Sequence, residues 1–417
     1  MRILHIPSTY APVIGGTELL CQKVSETLAR QGHQVRVLTG NVSAVDGYYH
    51  FGVTQLQLVE EVLNEVEIKR IPYGGILYKL GIPGVWKLLW RPVRDRIYSH
   101  LMALIQKQFI NRIYSEIESF QPDVVMTMPH LVNNVKFVLQ VHQNQPFPLV
   151  MVPLLHEESP NWPTQEMKIA LRQTDAVLAS TDHEAQRLER IYQVPKERLF
   201  TAYLGIDLPP VSSPEVRSPK VLFLGRKVPS KGLPDLLAAM RLVWNILPDT
   251  ELILAGARMP QTQEIDRLIE ALPENERLQI RSLDNVSEQE KSKLLNTSAC
   301  LVLPSRSESF GLVLLEAWAH QLPVVTLNLP VFRSIVSPNV DGLLTEAGDI
   351  VALSNAILFM LQNPETARTM GQAGRVKVEQ RFTWDKTAAS YFQAYEYAVA
   401  NGKRRGETIA LGREILT

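Results

Sequence analysis

An α/β protein made of two doubly wound domains is predicted by three observations. The chain has 417 residues, enough for two domains of ordinary size. Strand-like and helix-like segments alternate along most of it. That alternation stops once, at a proline- and serine-rich stretch near the middle, and then restarts.

The opening segment RILHI has the continuous apolar character of a buried strand. A Pro/Gly loop ending at Gly15-Gly16 follows, then an amphipathic run in which Leu20, Val24 and Leu28 recur at helical spacing. Gly32 falls where the helix needs a left-handed residue at its end, and QVRVLT returns as a second strand, completing a βαβ unit. VEIKRI, DVVMTM, PLVMVPLL and DAVLAS continue the pattern as further parallel strands, with His156 read as closing PLVMVPLL. These elements define an N-terminal domain over 1–206.

Residues 207–219, DLPPVSSPEVRSP, have no apolar periodicity and are read as the linker. A second domain over 220–385 begins with KVLFLG, a basic loop and a helix. ELILAG, LQIRSL, ACLVLP and PVVTL supply its later strands. From about 348 the sequence is almost wholly helical, with a helix over 386–400 and a charged stretch at 401–417 read as a loosely held tail.

Composition narrows the function. Forty-three basic residues balance 43 acidic ones, so total charge gives no reason to expect a nucleic-acid partner. The two cysteines, Cys21 and Cys300, lie far apart in apolar stretches and read as packed thiols in a reducing compartment. The first residues make a poor signal peptide and no apolar run suits a spanning helix, so a cytoplasmic protein is expected, with peripheral membrane attachment left open. The segment 75–113 carries Lys79, Lys87, Arg91, Arg94, Arg96, Lys107 and Arg112 against Asp95, interleaved with Trp86 and Trp90. It suits either an anionic membrane surface and a lipid-linked acceptor, or a core helix with a solvated basic face.

Three loops carry chemistry. Gly15-Gly16 lies between a strand and a helix start, where backbone N–H groups can meet a phosphate, although a plain tight turn fits as well. In the loop Gly225 to Gly232, Arg226 and Lys231 stand at the carboxyl edge of the second sheet, where two cations can neutralise a diphosphate. In PSRSESFGL, Gly311 opens a helix whose first amides, Phe310 to Leu312, suit phosphate oxygens. Glu308 and Glu316 would accept hydrogen bonds from sugar hydroxyls on either side of it, or would simply complement the helix start. Glu316 sits among apolar neighbours and needs a hydrogen-bonding partner. No Asp-x-Asp or ligand cluster suits a metal, and Asp182-x-Glu184 reads as the polar start of a helix after Ser180-Thr181.

Taken in order, the GG loop, GHQV, YLGID, GR…KG, PSRSESFG…E and NVDGLL resemble glycosyltransferase family 4, and the likeness spans nearly the whole chain. The pair Glu308 and Glu316 is its most specific element. The resemblance implies a GT-B fold: two Rossmann-like domains facing across a cleft, with C-terminal helices packing back on the N-terminal domain. It implies a retaining, metal-independent transfer of a sugar from a nucleoside diphosphate sugar to a lipid or saccharide acceptor, with no further cofactor. Arg226 and Lys231 would hold the donor diphosphate, Glu316 the ribose, and Glu308 and His156 the transferred sugar. Gly15, Gly16 and the amides of Phe310, Gly311 and Leu312 would complete the donor site. Where many members have A-x-G-x-P-V-V and a later glycine pair, this chain has AHQLPVVTLNLPVFRSIV, so the loop near 328–333 is expected to be reshaped. A homologue that binds nucleotide sugar or a partner without transfer is the rival reading.

Overall fold

The computed structural model describes residues 1–13, 15–41, 56, 60–71, 107–128, 132–155, 165–210 and 217–414. Two sheets organise them. In the first, β1 (Arg2–Pro7), β2 (Gln34–Gly40), β3 (Glu60–Leu63), β4 (Val66–Ile71), β5 (Val124–Met128), β6 (Leu149–Met151), β7 (Ala176–Ala179) and β8 (Leu199–Thr201) lie in the order β3-β4-β2-β1-β5-β6-β7-β8. Only β3 runs antiparallel to its neighbour. The second sheet is β11 (Ile280–Asp284), β10 (Glu251–Gly256), β9 (Lys220–Leu224), β12 (Cys300–Leu303), β13 (Val324–Leu327) and β14 (Gly342–Thr345), and its strand pairs are parallel. Both sheets reverse strand order beside their first strand. Ligands of doubly wound folds bind at the carboxyl side of such a switch point.

The apolar periodicity read from the sequence is the packing observed. Leu20, Val24 and Leu28 of the helix Gly16–Arg30 are buried, and Gly32 takes the left-handed conformation (φ +89°) that ends the helix. Both cysteines are buried free thiols, and burial pushes Cys300 up to about 12. Thr181 caps the helix Asp182–Tyr192 by accepting from the Glu184 N–H at 3.0 Å.

Three details differ from the sequence expectations. β3 was not foreseen: it pairs with β4 through Asn64 and Glu65, both at positive φ as a type I′ hairpin requires. β6 stops at Met151, because Leu154 turns to φ +50° although Val152 and Leu155 remain buried; the apolar run continues past the pairing. The last helix spans Trp384–Glu414, so residues 401–414 extend it rather than forming a tail. Of the basic segment 75–113, residues 75–106 lie outside the described part. Its end, within the helical residues 107–120, buries Phe109, Ile110 and Ile113, while Arg112 pairs with Glu60 and Glu116.

The C-terminal helix crosses back and packs on the helix Gly16–Arg30 and on β5 to β8. A buried hydrogen-bond chain fixes it there. Ser25 donates its hydroxyl proton to the Cys21 carbonyl at 2.7 Å, so it accepts from His5 Nδ1–H at 2.7 Å. His5 Nε2 is then the acceptor for Tyr395 Oη–H at 2.9 Å. Burial drives the His5 pKa down to about 3, against 6.5 when free. Below 6.5 the unfolded chain takes up a proton that the folded chain refuses, so stability is full near neutrality and is lost as pH falls towards 3. Between pH 7 and pH 5 this amounts to about 2 kcal/mol. Denaturant titrations at the two pH values should show that loss in the wild type, and a pH slope smaller by nearly one proton in His5→Asn.

Gly205 of YLGID marks where the chain returns. A Cβ there would lie 2.5 Å from the Trp384 nitrogen, so only glycine lets the isolated Ile206–Thr383 β-bridge form. Tyr203, Phe310 and Phe382 pack edge-to-face around that junction, with Arg381 stacked over Tyr203 at 5.0 Å.

Candidate active site

The switch point of the second sheet lies between β9 and β12, and the two loops leaving these strands form the candidate site. Gly232, at φ +76°, ends the first loop and starts the helix Leu233–Trp244. A Cβ on it would stand 1.8 Å from the Pro304 carbonyl oxygen. The two loops therefore touch backbone to backbone, and the Arg306 N–H reaches the Ser230 carbonyl at 3.4 Å.

That contact lets Lys231 Nζ meet Glu308 Oε1 at 2.5 Å and the Ser307 carbonyl at 3.4 Å. Both side chains are partly enclosed. Arg226 is exposed, with no side-chain hydrogen bond or ion pair among the described residues. The third cation of the loop turns inward: Lys227 is 1% exposed and bonds Asp284, Ser282 Oγ at 2.9 Å and the Leu283 carbonyl at 3.2 Å. Lys227 thus ties β9 to the end of β11, while Arg226 and Lys231 remain as the cations of the site.

Gly311 (φ +94°) opens the helix Leu312–Ala319, and no side chain caps it. A Cβ on Gly311 would stand 2.9 Å from the Phe332 ring, which fills the space behind the loop. Its amide end and the positive helix terminus thus stay available to an anion. Gly15 caps the first helix in an extended conformation, again without a side-chain cap, and the Gly16 Cβ position lies 4.0 Å from Leu312 Cδ1. The two glycine-led helix starts thus lie next to each other. On the Gly15 side Glu18 is buried in the first turn and accepts from the Thr9 hydroxyl, so that terminus already has one carboxylate beside it.

Glu316 has the partner the sequence required but did not reveal. Lys291, on the helix Glu288–Thr297, places Nζ 2.7 Å from Glu316 Oε1 and 2.9 Å from Glu288 Oε2. Burial works to lower the Lys291 pKa, but the two carboxylates outweigh it and hold it above the usual lysine value. Phe310 contributes its backbone to this region, while its ring belongs to the aromatic junction with Tyr203 and Phe382. His156 lies outside the described residues. The chain leading to it is held by Glu184, whose carboxylate accepts from the Leu155 N–H and the Ser180 N–H, both at 2.7 Å. Burial raises the Glu184 pKa.

The departures near 320 and 328 have structural explanations. Gln321 occupies φ +56°, the left-handed conformation that glycine takes more easily. Residues Pro330–Arg333 form a short helix that buries Val331 and Phe332, and Asn328 Nδ2 donates to Glu346 Oε1 at 2.6 Å. Among the described residues no cluster of three or more His, Cys, Asp or Glu suits a metal ion, and no helix is long and apolar enough to cross a membrane.

Two family models tile the chain: Glycosyltransferase Family 4 matches residues 14–209, and Glycosyl transferases group 1 matches 208–377. The chain is a family 4-type glycosyltransferase. Among curated relatives, this transferase is 25% identical to a glycogen synthase of Mycobacterium tuberculosis, covering 97% of this chain and 96% of the relative. A D-inositol 3-phosphate glycosyltransferase of Xylanimonas cellulosilytica is 30% identical over 56% of this chain and 58% of its own. Among solved structures, the sucrose-phosphate synthase of Thermosynechococcus elongatus superposes with a TM-score of 0.72 at 20% identity, covering 96% of this chain and all of that one. HepE of Anabaena, solved in complex with UDP-glucose, superposes with a TM-score of 0.67 at 15% identity, over 94% of this transferase and 100% of HepE. These superpositions give the transferase the GT-B fold.

Proposed function

We propose that the transferase moves a sugar from a nucleoside diphosphate sugar to a hydroxyl of a saccharide or lipid acceptor, with retention of anomeric configuration and without a metal ion. One observation carries the reading: the Lys231–Glu308 pair stands beside the uncapped start of the helix Leu312–Ala319, at the switch point of the second sheet. It brings a cation for phosphate and a carboxylate for sugar hydroxyls within one hydrogen bond of each other.

In this reading the diphosphate sits on the Gly311 and Leu312 amides, with Arg226 and Lys231 beside it. Lys231 has three N–H bonds. One stays on Glu308, a second is directed at the Ser307 carbonyl, and the third is available to a phosphate oxygen. As the C1–O bond to the diphosphate breaks, negative charge grows on the leaving phosphate, where fixed cations and amides stabilise the transition state more than the ground state. The acceptor oxygen bonds to C1 on the same face, and its proton passes to the departing phosphate oxygen. Glu308 and, through the residue's placement by resemblance, His156 orient the sugar. Glu316 accepts from the ribose.

Relatives and neighbours whose names include glycogen synthase, D-inositol 3-phosphate glycosyltransferase and a UDP-glucose complex are consistent with a nucleotide-sugar donor. The test is turnover with a panel of nucleoside diphosphate sugars, with saccharides and glycolipid vesicles as acceptors, in the presence of EDTA. The expected product keeps the donor's anomeric configuration by NMR. Inverted product, or activity abolished by EDTA and restored by a divalent cation, would contradict the proposal.

A further inference from the structure

Lys291 stands apart from the cations considered so far, because its place follows from no loop at the switch point. Its ammonium approaches Glu316 from a neighbouring helix, and two of its N–H bonds are used, one on Glu316 Oε1 and one on Glu288 Oε2. The third has no partner among the described residues. On the other side of the pair, Glu316 Oε2 likewise accepts nothing among the described residues. A free donor and a free acceptor are thus presented together, at half-buried side chains 23% and 22% exposed.

The pairing is held by more than its own charge. His320 Nδ1–H donates to the Glu316 carbonyl at 2.9 Å, a bond that leaves Nε2 as an acceptor for the Ser292 hydroxyl at 3.1 Å. Ser292 is the residue after Lys291. One imidazole therefore clamps the helix carrying Lys291 to the helix carrying Glu316, and burial lowers the His320 pKa. Arg217 adds a bond to the His320 carbonyl at 2.8 Å. This histidine, next to the Gln321 that departs from the family pattern, thus fixes the geometry of the pair.

Position along the helix suggests what the pair meets. Leu312, at the phosphate end, and Glu316 are four residues apart, about 6 Å along the axis. That is the order of separation between a diphosphate and the hydroxyls of the ribose bearing it. A vicinal diol offers both hydrogen-bond donors and lone pairs, and a carboxylate alone can satisfy only the former.

We infer that Lys291 and Glu316 form one donor–acceptor pair that reads the ribose hydroxyls of the nucleotide, with Lys291 setting the preference for ribose over deoxyribose. The inference rests on the assignment of this cleft to a nucleoside diphosphate sugar and adds a residue and a specificity to it. Glu316 accepts from one hydroxyl while Lys291 donates to the oxygen of the other.

The experiment is titration calorimetry of the full chain with UDP, ADP and GDP and with their 2′-deoxy and 3′-deoxy analogues. Wild type, Lys291→Met, Lys291→Arg, Glu316→Ala and Lys231→Ala are compared, each first checked for a cooperative melt. The wild type should prefer its ribonucleotide over at least one deoxy analogue by about 10-fold or more, the value of a charged hydrogen bond. Lys291→Met should weaken the ribonucleotide by about that factor, leave the deoxy analogue unchanged and so erase the preference, and Lys291→Arg should restore part of it. A ribose preference equal in wild type and Lys291→Met, or equal weakening of both ligands, would overturn the inference. If Lys231→Ala or Glu316→Ala still loses nucleotide in that case, the donor-site reading stands without it. If no variant changes binding, or the wild type binds none of the ligands, both fall.

Discussion

Lys231→Ala is expected to lower kcat/KM by about 10² to 10³, the cost of removing one fixed donor from a developing oxyanion. Lys231 is the only one of the loop's three cations that touches Glu308: Arg226 points to solvent, and Lys227 is consumed by Asp284. Its removal has two consequences. In the proposed binding mode the leaving diphosphate loses a partner whose worth grows as charge builds up, and Glu308 is left with an uncompensated charge. Steady-state kinetics separate these effects. Loss of the phosphate contact in the transition state lowers kcat, whereas loss of sugar orientation also raises KM. Lys231→Arg should recover only part of the activity, because a planar fork cannot reproduce the geometry of a compact ammonium on both Glu308 and a phosphate.

Gly232→Ala should be the most damaging single change of backbone in the site. The added methyl would lie 1.8 Å from the Pro304 oxygen and 2.6 Å from its carbonyl carbon, and the residue is held at φ +76°. Left-handed backbone alone costs a non-glycine residue about 1–2 kcal/mol, and overpacking adds about 1–3 kcal/mol. Relief requires the two loops to part, which would carry Glu308 away from Lys231. A melting temperature lower by about 5–15 °C is expected, together with loss of nucleotide binding. Gly32→Ala provides the contrast: it also sits at positive φ, but nothing lies within 4 Å of its Cβ position, so it should cost stability and leave nucleotide affinity unchanged.

Much of this architecture was legible because it is local. Strand, glycine loop and helix succeed one another within about thirty residues in each half, so Arg226, Lys231, Glu308 and Gly311 could be assigned to a sheet edge from order alone. Glu316 was legible as a carboxylate needing a partner, but Lys291 was not, because the pair joins two helices 25 residues apart with no periodic signal between them. The His5–Ser25–Tyr395 chain is more remote still, linking positions 390 residues apart. The end of β6 was misplaced for a different reason: burial, which makes a run apolar, continues to Leu155 after hydrogen-bond pairing has stopped. β3 escaped because Glu60-Glu61-Val62-Leu63 is half charged, as an edge strand can be.

Binding of a nucleoside diphosphate measured by titration calorimetry against the corresponding nucleoside tests the central claim most directly. In the proposed binding mode the diphosphate lies on the amides of Gly311 and Leu312 and on Arg226 and Lys231. At least one of UDP, ADP and GDP should therefore bind more tightly than its nucleoside by about 10² or more, and most of that advantage should vanish in an Arg226→Ala/Lys231→Ala double variant. Equal affinity for diphosphate and nucleoside, or an advantage that the double variant keeps in full, would contradict it.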